Sequence, residues 1–433
     1  NLAANLYRNY YVDTYSYGGS SPVHAFAAVA DANTVSWGNV ALRQTSSEPR
    51  EAWDNTVSNP YEHVTSGFFN NMYANLSSAS DVLNAISNGV DFGDDEPLIV
   101  SWSKFNQALV LTNIALTFDQ GYIITEESSD ADLLNPTLVP AAEIAAKAKA
   151  LFDEVITMAN NNTFALPDAY INGVTGDNVL LSQLANTYAA RLLAYMPRNA
   201  SQNANVDWAQ VKTYATNGID SDFMILMDDV NWLNDYKWVI AYPGWGRTDM
   251  YVANLMFPEE QFANGYPNYN PEGLDFPAPD SATVVDEAGV DDRIRTDFGY
   301  LSSNNFRPER GLYHFSSFRV SRYDDYLSLW TTELPELYKA ENDMLLAEAE
   351  LMLNNLGAAA AILNDPANSR KARGGLPDVA ANANDIRTAI HHERFVELSL
   401  TSFGVQFFDM RKSDRLQTGT WTQLPIPAKI QEL

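Results

Sequence analysis

Two adjacent histidines and two glutamates stand close together in the stretch HHERFVEL, which runs from His391 to Leu398. Histidine and carboxylate side chains are common metal ligands and acid–base groups, so this stretch is the first candidate for chemistry. On a helix, a second ligand would have to stand three or four residues from the first. Arg394, Phe395 and Val396 occupy those positions relative to the two histidines. The HExxH zinc motif is also absent from the sequence, and the stretch predicts no metal site.

The two glutamates of this stretch have a different interpretation. Glu393 and Glu397 lie one helical turn apart, and at about 100° per residue they share a face with Ile390. Buried carboxylates need ionic or hydrogen-bonded partners. Arg370 and Arg373, in NSRKARGGLPD, are the nearest candidates in the sequence. We therefore expect a structural clamp, with both histidines off the apolar face and no catalytic role.

Other constellations that carry chemistry are missing from the sequence. There is no cysteine, no GxxxxGK[ST], no GxGxxG after a strand and no GxSxG. The acidic segments 91–97 and 126–133 lack the spacing of an EF-hand, so calcium has no motif to support it and no cofactor is expected. The sequence neither supports nor excludes a pair of glycosidase carboxylates. We expect no enzymatic activity, and we expect His24, His63 and His314 to be surface or packing residues.

The composition sets limits on the partners. The chain has 433 residues, 46% of them hydrophobic, which is enough for a large core. Its 27 basic and 55 acidic residues give a net charge of −28, which argues against binding to nucleic acid or anionic membrane surfaces. This acidity suits uncharged or cationic ligands or bound calcium, but solubility is the main interpretation. No apolar run approaches the roughly 20 residues that span a membrane, and a processed leader is expected before Asn1.

Apolar residues repeat with helical periodicity in two blocks. The predicted helices are residues 67–87, 101–118, 139–159, 177–196 and 205–218 in the first block, and 335–355, 357–364 and 381–400 in the second. Asp177 is expected to cap the fourth helix, and Asn384 or Asp385 the last one. The helices of residues 335–364 should form a hairpin that turns at Gly357. The periodicity therefore predicts stacked helix pairs.

The segment between the two blocks, residues 228–334, is rich in proline, glycine, asparagine and aromatic residues. Long irregular segments on a rigid scaffold often carry function. Within it, YKWVIAY (236–242) is predicted to be a strand that places Tyr236, Trp238, Ile240 and Tyr242 on one side. The N-terminal segment 10–63 is similar in kind. Some of these rings must cover the helices, so the sequence leaves open which of them are exposed.

Several of these segments resemble one known family. ENDMLLAEAELMLNNLGAAAAILN, NSRKARGGLPDV, IRTAIHHERFVEL, QFFDMRK and LPIPAKIQEL follow one another as in the C-terminal half of the SusD/RagB family of outer-membrane nutrient-binding lipoproteins. QALVLTNIALTFDQGY and WGNVALRQTSSEPREAWDN are similar to earlier parts of that family. The resemblance covers nearly the whole chain.

The resemblance implies a fold and a cellular setting. The fold class would be mainly α, a SusD-like scaffold of tetratricopeptide-like helix pairs with a loop-rich, aromatic-rich insertion. The chain 1–433 would form one domain, with the scaffold at 64–227 and 335–403, the ligand-binding insertion at 228–334 and a C-terminal segment at 404–433. The expected partner is a SusC-like TonB-dependent transporter. The protein would sit on the outer membrane of a Bacteroidota-type cell, exposed at the surface through a lipid anchor upstream of Asn1.

The family function implied is capture of an oligosaccharide and its delivery to the transporter. Sugar rings pack on exposed aromatic side chains, while amide, carboxylate and guanidinium groups bind the hydroxyls. Trp245, held between two glycines in YPGWGRTDMY, is the first candidate. The other candidate ligand-binding residues are Tyr242, Trp238, Tyr266, Tyr269, Trp37, Trp53, Arg247, Asp249 and Asn254. The alternatives are RagB-like peptide binding and a structural surface component with no ligand of its own.

Overall fold

The computed structural model describes residues 2–16, 21–256, 290–301 and 306–431. Helices dominate both predicted blocks. The helices up to residue 216 are α1 (Leu2–Tyr15), α2 (Val23–Val29), α3 (Leu42–Ser46), α4 (His63–Ser87), α5 (Glu96–Thr117), α6 (Asp130–Leu134), α7 (Ala141–Asn161), α8 (Asn178–Tyr195), α9 (Ala200–Asn203) and α10 (Trp208–Thr216). None of the described helices combines the length and apolarity that a membrane-spanning helix requires.

The remaining helices begin after residue 234. They are α11 (Asp235–Ala241), α12 (Met250–Met256), α13 (Arg293–Thr296), α14 (Asp324–Leu329), α15 (Lys339–Met352), α16 (Leu356–Asn364), α17 (Ser369–Ala372), α18 (Ala383–Val396), α19 (Val405–Lys412) and α20 (Ala428–Gln431). Short 3-10 helices span Asn39–Ala41, Gly93–Asp95 and Pro308–Arg310. All of the predicted helices are therefore present, with boundaries shifted by a few residues.

Short antiparallel ladders tie the segments between the helices together. The strands are β1 (Asn33–Val35), β2 (Gln120–Gly121), β3 (Val139–Pro140), β4 (Ala165–Leu166), β5 (Gly176–Asp177), β6 (Phe223–Leu226), β7 (Gly246–Thr248), β8 (Phe298–Tyr300), β9 (Phe318–Val320) and β10 (Glu333–Leu337). The pairs are β1 with β7, β2 with β3, β4 with β5, β6 with β10 and β8 with β9. Two of these ladders join distant parts of the chain.

The core of the first block is built around α5. This helix packs against α4 on one side and α7 on the other, and it also contacts α1 and α8. Phe105 and Leu109 on α5 have no exposed surface. Burial of a leucine or phenylalanine side chain contributes about 1.5–3 kcal/mol, so packing of this kind holds the stack together. Asp177 caps α8 as expected, because its carboxylate accepts hydrogen bonds from the Val179 and Leu180 amides at 2.9 and 3.1 Å.

Three local predictions in the second block need correction. The segment from Glu333 to Leu337 pairs with β6, so the helix predicted from residue 335 begins only at Lys339. The α15–α16 hairpin turns at Asn354, which takes a left-handed φ of 62° that asparagine tolerates, whereas Gly357 lies inside α16. The cap of α18 is Asn382, whose side chain accepts the Asp385 amide at 3.0 Å.

The predicted strand YKWVIAY is wrong, because residues 235–241 form helix α11. Asn234 caps this helix through its side-chain oxygen, which accepts the Lys237 amide at 2.9 Å. Aromatic and β-branched residues favour strands, but this preference is weak. Here the helix cap at Asn234, together with tertiary contacts, outweighs it. Tyr236 and Ile240 are buried, whereas Trp238 and Tyr242 lie one turn apart on the outer face. The alternation expected of a strand is replaced by the spacing of a helix.

Candidate functional site

Four aromatic rings from two helices and a turn come together in the region after residue 228. We call Trp238, Tyr242, Trp245 and Trp330 the aromatic platform. The Trp238 ring centroid lies 5.2 Å from that of Tyr242, 5.9 Å from Trp245 and 5.3 Å from Trp330. Tyr242 is 40% exposed, and the three tryptophans are half-buried. Tyr242 is therefore the exposed ring of the platform, and the three tryptophans pack against the core with part of each ring open to solvent.

Helix α11 and strand β7 fix the turn that carries Trp245. The Trp245 amide donates to the Tyr242 carbonyl at 3.0 Å, which closes the turn between them. A Cβ atom at Gly246 would lie 2.1 Å from the Ile240 carbonyl oxygen, so only glycine allows this approach of the two backbones. The flanking glycines were the sequence signal for Trp245, and Gly246 has this second role in the structure.

Trp330 completes the platform from the end of α14. Its backbone takes a left-handed φ of 58°, and its amide donates to the Tyr326 carbonyl at 2.9 Å. This conformation turns the chain at the helix end. The sequence reasoning missed Trp330 because nothing in its neighbourhood marks it as close to residues far earlier in the chain. Only the packing of α11 against α14 brings it to Trp238.

Polar side chains stand beside the platform. Arg319 donates to the Ala241 carbonyl at 3.2 Å and pairs with both carboxylate oxygens of Asp324 at 2.6 and 2.7 Å. Asp324 belongs to the helix that ends at Trp330, and its side chain is 47% exposed. A carboxylate and a guanidinium at the edge of aromatic rings can exchange hydrogen bonds with ligand hydroxyls. The sequence reasoning identified neither residue.

Arg247 does not face solvent, contrary to the role proposed for it from the sequence. It is 1% exposed, and its Nη1 donates to the Pro243 and Gly246 carbonyls, both at 2.7 Å. Burial, together with repulsion from Arg319, lowers the pKa of Arg247 to about 10. Arg247 therefore supports the turn below Trp245 and has no surface for direct ligand contact.

Asp249 is buried as well, at 2% exposure. Its carboxylate accepts hydrogen bonds from the Thr34 hydroxyl and, at 2.8 Å, from the Tyr251 amide. Burial, with repulsion from Asp31, raises its pKa well above the usual range for aspartate. Asp249 thus ties β1 to the end of β7 and does not reach a ligand surface. Asn254 lies half-buried on α12.

Trp37 emerges at the same end of the β1–β7 ladder as Trp245. Val35 pairs with Gly246, so the antiparallel register brings the residues after Val35 alongside those before Gly246. The Arg310 guanidinium lies over the half-buried Trp37 ring, 4.4 Å from its centroid, in a cation–π contact. Tyr266 and Tyr269 lie outside the described residues.

Trp53 lines a separate cavity of about 280 Å³, which we call the Trp53 pocket. Trp421 meets Trp53 edge-on, with 6.3 Å between the ring centroids. Gln44, Asn59 and Tyr61 line the same cavity, and the Gln44 amide donates to the Tyr61 hydroxyl at 3.1 Å. Aromatic walls with a few amide groups are typical of small-ligand cavities. Of the predicted aromatic residues, Trp238, Tyr242 and Trp245 thus belong to the platform, Trp53 belongs to this pocket and Trp37 belongs to neither.

One group of side chains has the composition of a metal site. Asp31, Glu48 and His314 place ligand atoms within 4.8 Å of one another. However, Arg50 pairs with Asp31, and the Gln417 amide donates to Asp31 at 2.9 Å and to Glu48 at 2.7 Å. Arg50 and Gln417 thus both reach Oδ1 of Asp31, and Gln417 also reaches Oε1 of Glu48, so the arrangement fits a buried ion-pair cluster better than a metal centre. Its members are too far apart in the sequence to have been grouped there.

The two glutamates of HHERFVEL have the arginine partners that their burial required. Arg293 forms a two-pronged ion pair with Glu393 at 2.7 and 2.8 Å, and it also reaches Glu397 at 3.0 Å. Arg373 pairs with Glu397 at 2.5 Å, while Arg370 stays 3.9 Å from Glu393. Burial alone would raise the pKa of Glu393, but Arg293 holds it below the usual value. Arg293, the main partner, comes from α13, which sequence proximity could not reveal.

The histidines of the same stretch are buried, contrary to the expectation that they lie off the packed face. His391 hydrogen-bonds Asp409 at 2.6 Å and the Tyr251 hydroxyl at 2.5 Å. His392 hydrogen-bonds Asp291 at 2.7 Å. Neighbouring elements cover both sides of α18, so its buried surface is wider than one apolar stripe. The remaining histidines are His24 and His314, which are buried, and His63, which is exposed.

Comparisons with known proteins agree on the fold. No protein-family model and no curated protein sequence matches the chain. A SusD superfamily protein from Bacteroides vulgatus matches in structure with a TM-score of 0.64 at 13% identity, covering 100% of this chain and 96% of the other. A surface glycan-binding protein A from Bacteroides uniformis matches with a TM-score of 0.61 at 13% identity, covering 97% and 88%. A laminarin-binding SusD-like protein matches with a TM-score of 0.56 at 19% identity, covering 100% and 96%.

The chain therefore has the SusD-like fold over its whole length, as the sequence resemblance implied. The sequence identities of these matches are low, between 13% and 19%, so the matches establish the architecture alone. Several of the structural neighbours are carbohydrate- or glycan-binding proteins by their descriptions.

Proposed function

We propose that this protein binds an oligosaccharide on the aromatic platform. The observation that carries the proposal is the convergence of Trp238, Tyr242, Trp245 and Trp330 in one cluster, of which Tyr242 is exposed and the tryptophans are half-buried. Exposed aromatic clusters of this kind are unusual on soluble surfaces and mark binding sites. The glycan-binding descriptions of structural neighbours support the same ligand class.

The geometry suits a neutral sugar. The C–H faces of a pyranose ring pack on aromatic rings, and aromatic packing contributes about 0.5–1.5 kcal/mol per pair beyond the area buried. The Arg319–Asp324 pair stands beside the rings and offers a donor and an acceptor for hydroxyl groups. A net charge of −28 does not oppose binding of an uncharged chain, whereas it disfavours a polyanion.

Isothermal titration with laminarin, other neutral oligosaccharides and oligopeptides tests the proposal. We expect heat from at least one neutral oligosaccharide, and we expect Tyr242→Ala/Trp245→Ala to weaken its binding by about tenfold or more, which corresponds to the loss of about 1.4 kcal/mol. Phe92→Ala serves as the control, because it removes a half-buried ring that does not belong to the platform and is more than 100 residues away from it in the sequence. Heat from peptides alone would favour the peptide-binding alternative.

We further propose that the protein delivers its ligand to a SusC-like transporter and is held at the outer membrane by a lipid anchor. The SusD-like fold supports this setting through the family resemblance. Co-purification from solubilised outer membranes tests the partnership. A SusC-like barrel recovered with the tagged protein is the expected outcome, and its absence from a stable, surface-exposed preparation would count against delivery. If the protein were only a structural surface component, the platform variant would leave glycan uptake unchanged.

A further inference from the structure

A cavity of about 300 Å³ lies on the scaffold, away from the residues of the aromatic platform. Helix α18 contributes Arg387, His391 and Arg394, which recur at helical spacing along one face. Helix α15 contributes Glu348, and the α19 region contributes the remaining charged residues described below. We call this space the scaffold cavity. Two residues of HHERFVEL line it, His391 and Arg394, and neither belongs to the glutamate clamp or to the aromatic platform.

The two carboxylates of the scaffold cavity are each paired with a cation of its wall. Arg394 bridges Glu348 at 2.6 Å and Asp409 at 2.5 Å. Lys412 pairs with Glu348 at 2.6 Å. All four side chains are buried. This network is neutral in sum, so any further positive charge on the cavity wall is uncompensated from within.

His391 adds no charge to the wall. Burial lowers its pKa, even though Asp409 favours the protonated form, so the ring is neutral at pH 7. Both of its nitrogens are engaged, one by Asp409 and the other by Tyr251. The ring therefore acts as a fixed polar wall between the ion pairs and the remaining arginines.

Arg387 and Arg415 are the uncompensated charges. Arg387 is exposed and Arg415 half-buried, and neither side chain forms an ion pair or hydrogen bond within the part of the chain that the structure describes. Arg415 lies close enough to His391 to contribute to its lowered pKa. Asp414 precedes Arg415 but forms no ion pair with it. Four cations face two carboxylates, so the cavity carries two excess positive charges in a chain whose net charge is −28.

We propose that the scaffold cavity binds a small dianion that presents carboxylate, sulfate or phosphate oxygens. Arg387 and Arg415 line the same cavity, so two cationic side chains without an ion pair in the described chain are available there to an external anion. Guanidinium groups bind such oxygens through paired hydrogen bonds. The volume is at the lower end of the range for ligand cavities, about 300–1,000 Å³, which suits a small molecule.

Isothermal titration at an ionic strength of about 0.1 M, with sodium sulfate and with sodium succinate, tests the proposal. We expect heat from at least one of the two dianions, and affinity at least about tenfold weaker in Arg387→Gln/Arg415→Gln. Success with sulfate alone, succinate alone or both supports the site and identifies the oxyanion chemistry. Absence of heat with both dianions, or equal affinity of wild type and double variant, would overturn it.

Two controls keep this test independent of folding and of the platform. Arg43→Gln removes another half-buried arginine that makes no ion pair in the described chain, and we expect it to bind the dianion as wild type does. Arg387→Gln alone changes an exposed side chain and covers the case in which the double variant fails to fold. The neutral-oligosaccharide titration of the double variant should match wild type, so failure of one proposal is distinguishable from failure of the other.

Discussion

The contribution of a charged residue to the stability of this protein depends mainly on how deeply its side chain is buried. Glu397 is 3% exposed and shares its two oxygens between Arg293 and Arg373, whereas Asp378, which pairs with Lys371 at 2.7 Å, has a side chain that is 75% exposed. A buried carboxylate that is removed leaves its partner charges without compensation, and an exposed one leaves them in water. The same type of contact therefore differs in its effect on stability.

We expect Glu397→Ala to lower the free energy of unfolding by about 3 kcal/mol, because it removes the buried contacts of Glu397 with both Arg293 and Arg373. Arg293 would keep two other carboxylate partners, Asp291 and Glu393. Urea denaturation measures this loss, and titration with the oligosaccharide should show unchanged affinity. Asp378→Ala removes an exposed ion pair and should cost less than about 1 kcal/mol. A Glu397→Ala protein as stable as wild type would contradict the clamp.

Glu48 gives a pH dependence at the residue scale. Burial raises its pKa to about 7, against the opposing effect of Arg50. The folded state then binds a proton more tightly than the unfolded state, so the contribution of Glu48 to stability is complete below its unfolded pKa and is lost as pH rises through about 7. The reason is that burial raises the free energy of the charged carboxylate of Glu48 relative to its neutral form.

We therefore expect Glu48→Gln to gain thermal stability relative to wild type as the pH rises from about 5 to about 8. Melting temperatures of both proteins across this range measure the difference. Glu51→Gln, an exposed neighbour, serves as the control. A difference in melting temperature that stays constant with pH would show that Glu48 does not titrate in this range.

At the scale of elements, the close approach of α11 and β7 decides where the platform stands. The Ile240 carbonyl, in the last turn of α11, lies against Gly246, and Trp245 projects from the turn between them. Trp238 on α11 and Tyr242 directly after it meet Trp245 because this turn is tight. The positions of three platform rings thus depend on one glycine.

We expect Gly246→Ala to destabilise the protein and to weaken oligosaccharide binding, because the added Cβ would lie 2.1 Å from a backbone oxygen and would push the turn away from α11. Thermal unfolding and titration measure the two effects. Gly357→Ala is a matched control, since its Cβ would meet open space inside α16. There alanine should be neutral or stabilising by up to about 1 kcal/mol. Unchanged binding by Gly246→Ala would show that the turn does not position the platform.

At the scale of the whole molecule, the charged surface and the ligand site serve different purposes. The excess of acidic residues favours solubility and repels polyanions, while the platform offers uncharged aromatic rings to a ligand. The two excess positive charges of the scaffold cavity run against the overall sign. A small anion could reach them despite the net charge, because salt screens exposed charges beyond about 10 Å.

Long contacts assemble this molecule from segments that are far apart in sequence. The β1–β7 ladder joins residues 33–35 to 246–248, and β6 pairs with β10 across more than a hundred positions of the chain. The Arg293 ion pairs tie the loop-rich region to α18 in the same way. As a result, the helices of the first block and the regions between the two blocks share one extensive core, while α15, α16 and α18 enclose a smaller one.

The sequence by itself determined the helical scaffold, the SusD-like resemblance and the choice of Trp238, Tyr242 and Trp245 as candidates. The helices depend on local periodicity and capping and the candidate rings on composition, which neighbouring residues encode, while the resemblance rests on the order of several sequence segments. Tertiary structure alone decided that residues 235–241 are helical, that Trp330 joins the platform and that Arg247 and Asp249 are buried. The physical reason is that exposure and side-chain proximity depend on contacts between segments distant in the chain, and the energies of those contacts exceed local preferences.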